Sequence, residues 1–78
     1  MDKIFRAILE TENFTFEAYE NTRRKALKSL ISGCKNHCKQ YKVSWNEFKN
    51  HYLTYEEDWP DLVYEIEIGV GYRDKEKI

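Results

Sequence analysis

The sequence predicts an α+β fold: a two-layer α/β sandwich in the order β-β-α-α-β. Its three-stranded antiparallel sheet has strand order 2-1-3, with one long and one short helix on one face. Three observations carry this. Two short runs near the start alternate apolar and polar residues. A long central run repeats apolar residues at helical spacing. A late run, from Leu62 to Arg73, alternates again.

The first strand is KIFRAILET, residues 3–11, with Phe5, Ala7 and Leu9 on one face and Arg6, Ile8 and Glu10 on the other. The second is FTFEAYE, residues 14–20, with Phe14, Phe16 and Ala18 opposite Thr15, Glu17 and Tyr19. Only Glu12 and Asn13 separate them. Asparagine tolerates positive φ, so a tight hairpin is expected.

The helix signal begins at Asn21 or Thr22, either of which caps a helix by accepting a free backbone N–H. Ala26, Leu27, Leu30, Ile31, Cys34, Cys38 and Tyr41 form its apolar stripe. Lys25, Lys28, Lys35 and Lys39 fall on the other side with Ser32 and Asn36. Gly33 is the weak point, because an interior glycine costs about 1 kcal/mol against alanine. It either admits close approach to the sheet or ends the helix, and the stripe beyond it favours a helix running to about residue 41. A short second helix comes next: Ser44 and Glu47 make a capping box, and Trp45, Phe48 and Tyr52 make its stripe. TYEEDWPD is expected as a loop, since Pro60 disfavours helix at Trp59.

In the last strand Leu62, Tyr64, Ile66, Ile68, Val70 and Tyr72 are expected to face the helices. Val63, Glu65, Glu67, Gly69, Gly71 and Arg73 are expected to face outward. Gly69 and Gly71 mark a bulge or a close backbone approach. With the first strand in the middle, this phase would gather Glu17, Glu65 and Glu67 on the uncovered face. Residues 1–78 form one small domain, with 73–78 as a frayed tail.

At 78 residues the chain buries only about 60 % of its unfolded surface, too little for a deep cleft between lobes. The apolar runs are far short of the roughly 20 residues that span a bilayer, and the charged start lacks the centre of a signal peptide. The expected location is therefore cytoplasmic, with reduced cysteines and no membrane partner.

Charge is segregated although the net charge is only −1. Residues 21–50 carry Arg23, Arg24, Lys25, Lys28, Lys35, Lys39, Lys42 and Lys49 against Glu47 alone. Residues 51–67 carry Glu56, Glu57, Asp58, Asp61, Glu65 and Glu67 and no Lys or Arg. Such blocks point to charged partners.

Catalytic chemistry is poorly supplied. Cys34, His37 and Cys38 form C-x-x-H-C, with His51 later. Zinc needs further ligands at turns, and these cysteines continue an apolar stripe, so packing is their expected role. A nucleophilic cysteine needs exposure and an activated thiolate, which the same stripe argues against. No glycine-rich phosphate loop is present. No enzyme activity, metal or cofactor is expected.

The expected function is a non-enzymatic protein–protein interaction domain, a small inhibitor or adaptor. Tyr55, Glu56, Glu57, Asp58, Trp59, Asp61, Glu65 and Glu67 would dock onto a basic partner protein. Large rings supply binding hot spots and clustered carboxylates steer basic partners. The alternative is nucleic-acid binding through Arg24, Lys28, Lys35, Lys39 and Lys42 on the long helix. The pI of 6.1 argues against it. The outer strands would also offer unpaired edges, so the chain is expected as a monomer or a homodimer. The Lys-, Asn-, Tyr- and Ile-rich, proline-poor composition resembles that of proteins from AT-rich genomes, phages included, whose small accessory proteins often block a host protein.

Overall fold

The computed structural model describes residues 3–78; Met1 and Asp2 lie outside them. Strands β1 (Lys3–Glu10) and β2 (Thr15–Glu20) pair antiparallel, and β3 (Val63–Glu67) pairs antiparallel with the other edge of β1. The sheet order is β2-β1-β3, as the sequence implies. Helices α1 (Arg23–Tyr41) and α2 (Trp45–Tyr52) complete the α+β architecture, α1 lying across β1 and β2.

Thr11, not Asn13, closes the β1–β2 hairpin. Its backbone N–H donates to the Phe14 carbonyl at 2.8 Å, and its hydroxyl accepts from the Phe14 N–H at 3.1 Å. Asn13 is not among the residues with positive φ. Thr22 caps α1, its Oγ1 accepting from the Lys25 N–H at 3.2 Å. Gly33 neither breaks the helix nor admits a neighbour: a Cβ there would meet nothing within 4 Å. The helix ends at Lys42, whose left-handed backbone (φ 56°) turns its N–H onto the Cys38 and Lys39 carbonyls. Ser44 caps α2 by accepting from the Glu47 N–H at 3.4 Å.

The core is Ala7, Leu9, Ala18, Ala26, Leu30, Cys34, Cys38, Phe48, Leu53 and Val63, flanked by Phe5, Phe16, Leu27, Ile31, Trp45, Tyr52, Trp59 and Leu62. Ala7, Ala18 and Ala26 are small, and all three are buried where α1 meets the sheet. Short side chains there let the helix backbone approach closely, and Leu30 fills the remaining depth. Tyr41, the last member of the helical stripe, is instead exposed. Its ring lies tilted against Phe14 and His37.

The chain after α2 departs from expectation in three ways. First, residues 56–62 form a 3-10 helix rather than an open loop. Pro60 removes an N–H and so bars an α-helix, but the short-range bonds avoid it. Asp58 N–H donates to Tyr55 O, and Val63 N–H to Pro60 O.

Second, β3 runs in the opposite phase. Val63 pairs with Ala7 and is buried, so Val63, Glu65 and Glu67 share the helix-side face with Phe5 and Ala7. Tyr64 pairs with Arg6 and Ile66 with Ile4, placing both on the open face. A one-residue slip in an alternating strand exchanges every side chain between faces. Beneath α1, opposite Ala7, valine fits a closely packed layer where the Tyr64 ring would not.

Third, the long strand stops at Glu67. Ile68 and Gly69 turn the chain, Gly69 with φ +88°, and Ile68 is exposed. The expected frayed tail is a second hairpin, β4 (Tyr72–Arg73) with β5 (Glu76–Lys77). Asp74 and Lys75 form its turn with φ of 50° and 69°, the left-handed pair that a tight hairpin requires.

Candidate functional site

The acidic cluster is built on the 3-10 helix. Tyr55 is 63 % exposed, and Glu56, Glu57, Asp58 and Asp61 are exposed with it. Trp59 turns inward: its Nε1–H donates to the Leu53 carbonyl at 3.1 Å and its ring packs against the core. Lys49 braces the turn from α2, reaching Glu56 Oε1 at 3.1 Å and lying 5.8 Å from the centre of the Trp59 ring. Five of the expected contact residues, Tyr55 to Asp58 and Asp61, therefore share one short turn held by Trp59.

Glu65 and Glu67 do not extend this surface across the uncovered sheet face. They lie on the helix side, where Lys3 reaches Glu65 at 3.3 Å and Lys77 reaches Glu67 at 2.9 Å. The bond from Lys77 and its charge hold the Glu67 carboxyl below its ordinary value.

The open face that was to gather Glu17, Glu65 and Glu67 carries an arginine between two tyrosines instead. The Arg6 guanidinium lies 5.8 Å from the Tyr19 ring centre and 5.7 Å from that of Tyr64. Glu17 accepts from both Arg6 and the Tyr19 hydroxyl, so its charge is neutralised locally. The β4–β5 turn leans over this face, with Lys75 Nζ 5.5 Å from the Tyr64 ring centre. Ile8, on that face, is only 8 % exposed.

On the far side of Trp59 lies a groove of about 490 Å³ along α1. Leu27, Ile31 and Trp59 form its apolar floor, and Arg24, Lys28 and Lys35 its rim, with the Ser32 hydroxyl among them. Lys35 is also held 5.2 Å from the Trp45 ring centre. Three of the five cations expected to bind nucleic acid thus converge on one groove, whereas Lys39 and Lys42 do not line it. Leu27 and Ile31 read in the sequence as core residues; they sit at the border of the stripe and serve both sides. Trp59 joins them through its core packing and its Leu53 bond, which pairs residues six apart through an irregular turn and leaves no periodic signal.

Cys34 and Cys38 are free and buried. Burial, and after it the neighbouring Cys38, raises the Cys34 thiol to about 11, and burial raises Cys38 as well. Such thiols are almost wholly protonated at neutral pH and poor nucleophiles. Among the described residues, no group of three or more His, Cys, Asp or Glu is placed to hold a metal ion, and no helix is long and apolar enough to cross a membrane. Comparison of the chain with known protein families, with curated proteins and with solved structures finds no match.

Proposed function

We propose that the chain is a non-catalytic protein-interaction domain, of the adaptor or inhibitor kind, that docks its acidic turn onto a basic surface of another protein. One observation carries this reading. Glu56, Glu57, Asp58 and Asp61 are displayed on a 3-10 helix, capped by Tyr55, whose position is set by the inward Trp59 and by Lys49. A pre-positioned turn binds with less ordering cost than a flexible acidic loop, and its charge accelerates encounter with a basic partner. Tyr55 supplies an exposed ring for a pocket on that partner.

The test replaces Glu56, Glu57 and Asp58 with lysine and compares capture of basic proteins from nuclease-treated lysate. Capture that weakens in the triple variant, and weakens with salt in the unaltered chain, supports the reading. Equal capture by both chains with equal salt response sinks it.

A second reading, nucleic-acid binding through α1, is favoured by the meeting of Arg24, Lys28 and Lys35 at one groove. A mobility-shift titration at two salt concentrations tests it, because phosphate contacts are lost steeply as salt rises.

A further inference from the structure

We infer that the groove along α1 is a docking site for an acidic amphipathic helix of a partner protein. This goes beyond the acidic-turn reading: there the carboxylates belong to this chain, and here they belong to the partner.

Floor and rim select the occupant together. Leu27, Ile31 and Trp59 offer apolar surface that gains from being covered. Arg24, Lys28 and Lys35 stand at positions i, i+4 and i+11 of one helix, so the rim is a row about 16 Å long at 1.5 Å per residue. A helix laid beside α1 would place two or three apolar side chains in the groove and carboxylates along that row. That is the familiar division of labour when an amphipathic helix fills a groove. A volume of about 490 Å³ suits those side chains and is too small for a whole helix to enter.

A phosphate backbone matches less of this surface. It would pair with the rim and leave the apolar floor in water. An acidic helix covers the floor, and its apolar side faces Trp59. Its own carboxylates then pair with the row of Arg24, Lys28 and Lys35.

The experiment titrates the full chain with a designed helical peptide of about 16 residues, long enough to match the rim. It carries leucines on one face and glutamates flanking them. The same peptide with lysine for glutamate and a short DNA duplex serve as comparisons. The readouts are labelled-peptide anisotropy and the NMR signal of the Trp59 indole N–H. The acidic peptide should bind saturably and move the Trp59 signal. Arg24→Glu with Lys28→Glu should weaken it about tenfold and create binding of the lysine peptide. Glu57→Lys with Asp58→Lys should not weaken it, which separates this site from the acidic turn. Lys28→Gln with Lys35→Gln, at an unchanged unfolding temperature, repeats the test without charge reversal. No saturable binding of the acidic peptide overturns the inference. So does tighter binding of the duplex through the same cations. Light scattering that shows a dimer dissociated by the rim variants would assign the groove to a second copy, and would likewise overturn it.

Discussion

α1 and the segment from Val63 to the C-terminus are held in different ways. α1 buries Ala26, Leu30, Cys34 and Cys38 in succession against the sheet, so four independent positions fix its rotation. β3 buries only Val63; Tyr64 to Glu67 remain on the ladder to β1, and the residues beyond are tethered by polar contacts that are exposed or half-buried. The Tyr72 hydroxyl accepts the Glu67 N–H at 2.9 Å, Lys77 pairs with Glu67, and Lys75 lies over Tyr64. Redundant burial makes one region insensitive to any single contact. The other depends on the partner its first residue finds. The two charged surfaces share the same division: the cationic rim rides on the rigid helix, and the acidic turn is the joint that leads into the singly anchored strand.

The sharpest way to break this comparison is to attack the anchor. Val63→Lys should cost about 3 kcal/mol or more, because it buries an unpaired ammonium opposite Ala7. Tyr64→Thr, one residue on, should cost clearly less than Val63→Lys, although it gives up the Arg6 and Lys75 contacts with the ring, because the half-exposed open face leaves no buried charge. Denaturant unfolding of both variants checks the order, and the reverse ranking would restore the phase read from the alternation alone.

The cysteines test the helix. Burial lifts Cys34 from 9.0 to about 11. A thiol with a raised folded value favours the folded chain fully below the unfolded value. That preference is lost as pH rises towards the folded one. Stability should therefore decline between pH 9 and pH 11, and Cys34→Ala should flatten that decline. In native protein at neutral pH both thiols should react with a maleimide far more slowly than in denaturant, as mass spectrometry will show.

A smaller effect sharpens the picture of α1. Gly33 is exposed and a Cβ there meets nothing, so Gly33→Ala should stabilise the chain by roughly 0.5–1 kcal/mol in thermal unfolding. No gain would mean that Gly33 has a role in the helix that its open surroundings do not reveal.

The smallest effect lies at the far end. Glu67 titrates below its ordinary 4.5 because Lys77 bonds and attracts it. A lowered carboxyl contributes above the ordinary value and ceases to do so as pH falls below it. Amide signals of β4 and β5 should thus lose protection in acid before those of α1, and Lys77→Met should abolish the difference.

The legible elements share a physical trait. The β1–β2 pairing, the span of α1 and the caps Thr22 and Ser44 all arise from local periodicity or from backbone groups satisfied within a few residues, while the 2-1-3 order follows from placing the first strand between its hairpin partner and the last strand. The acidic turn and the cationic row were legible as runs of charge, because charge needs no fold to be counted. Their surroundings were not. Lys49 as the brace of Glu56, Trp59 as the floor of the groove, and Arg6 as the centre of the open face each depend on contacts between distant segments.

The amino-acid order alone determined β1, β2, α1, α2 and the start of the last strand, and where opposite charges concentrate, since both are set by neighbours along the chain; it did not determine the 3-10 turn, the end of β3 or the C-terminal hairpin. Tertiary structure alone decided which face of β3 is buried and which side of Trp59 is a groove. An alternating strand is equally regular in either phase. Only the space left beneath α1, where Ala7 meets Val63, chooses between them.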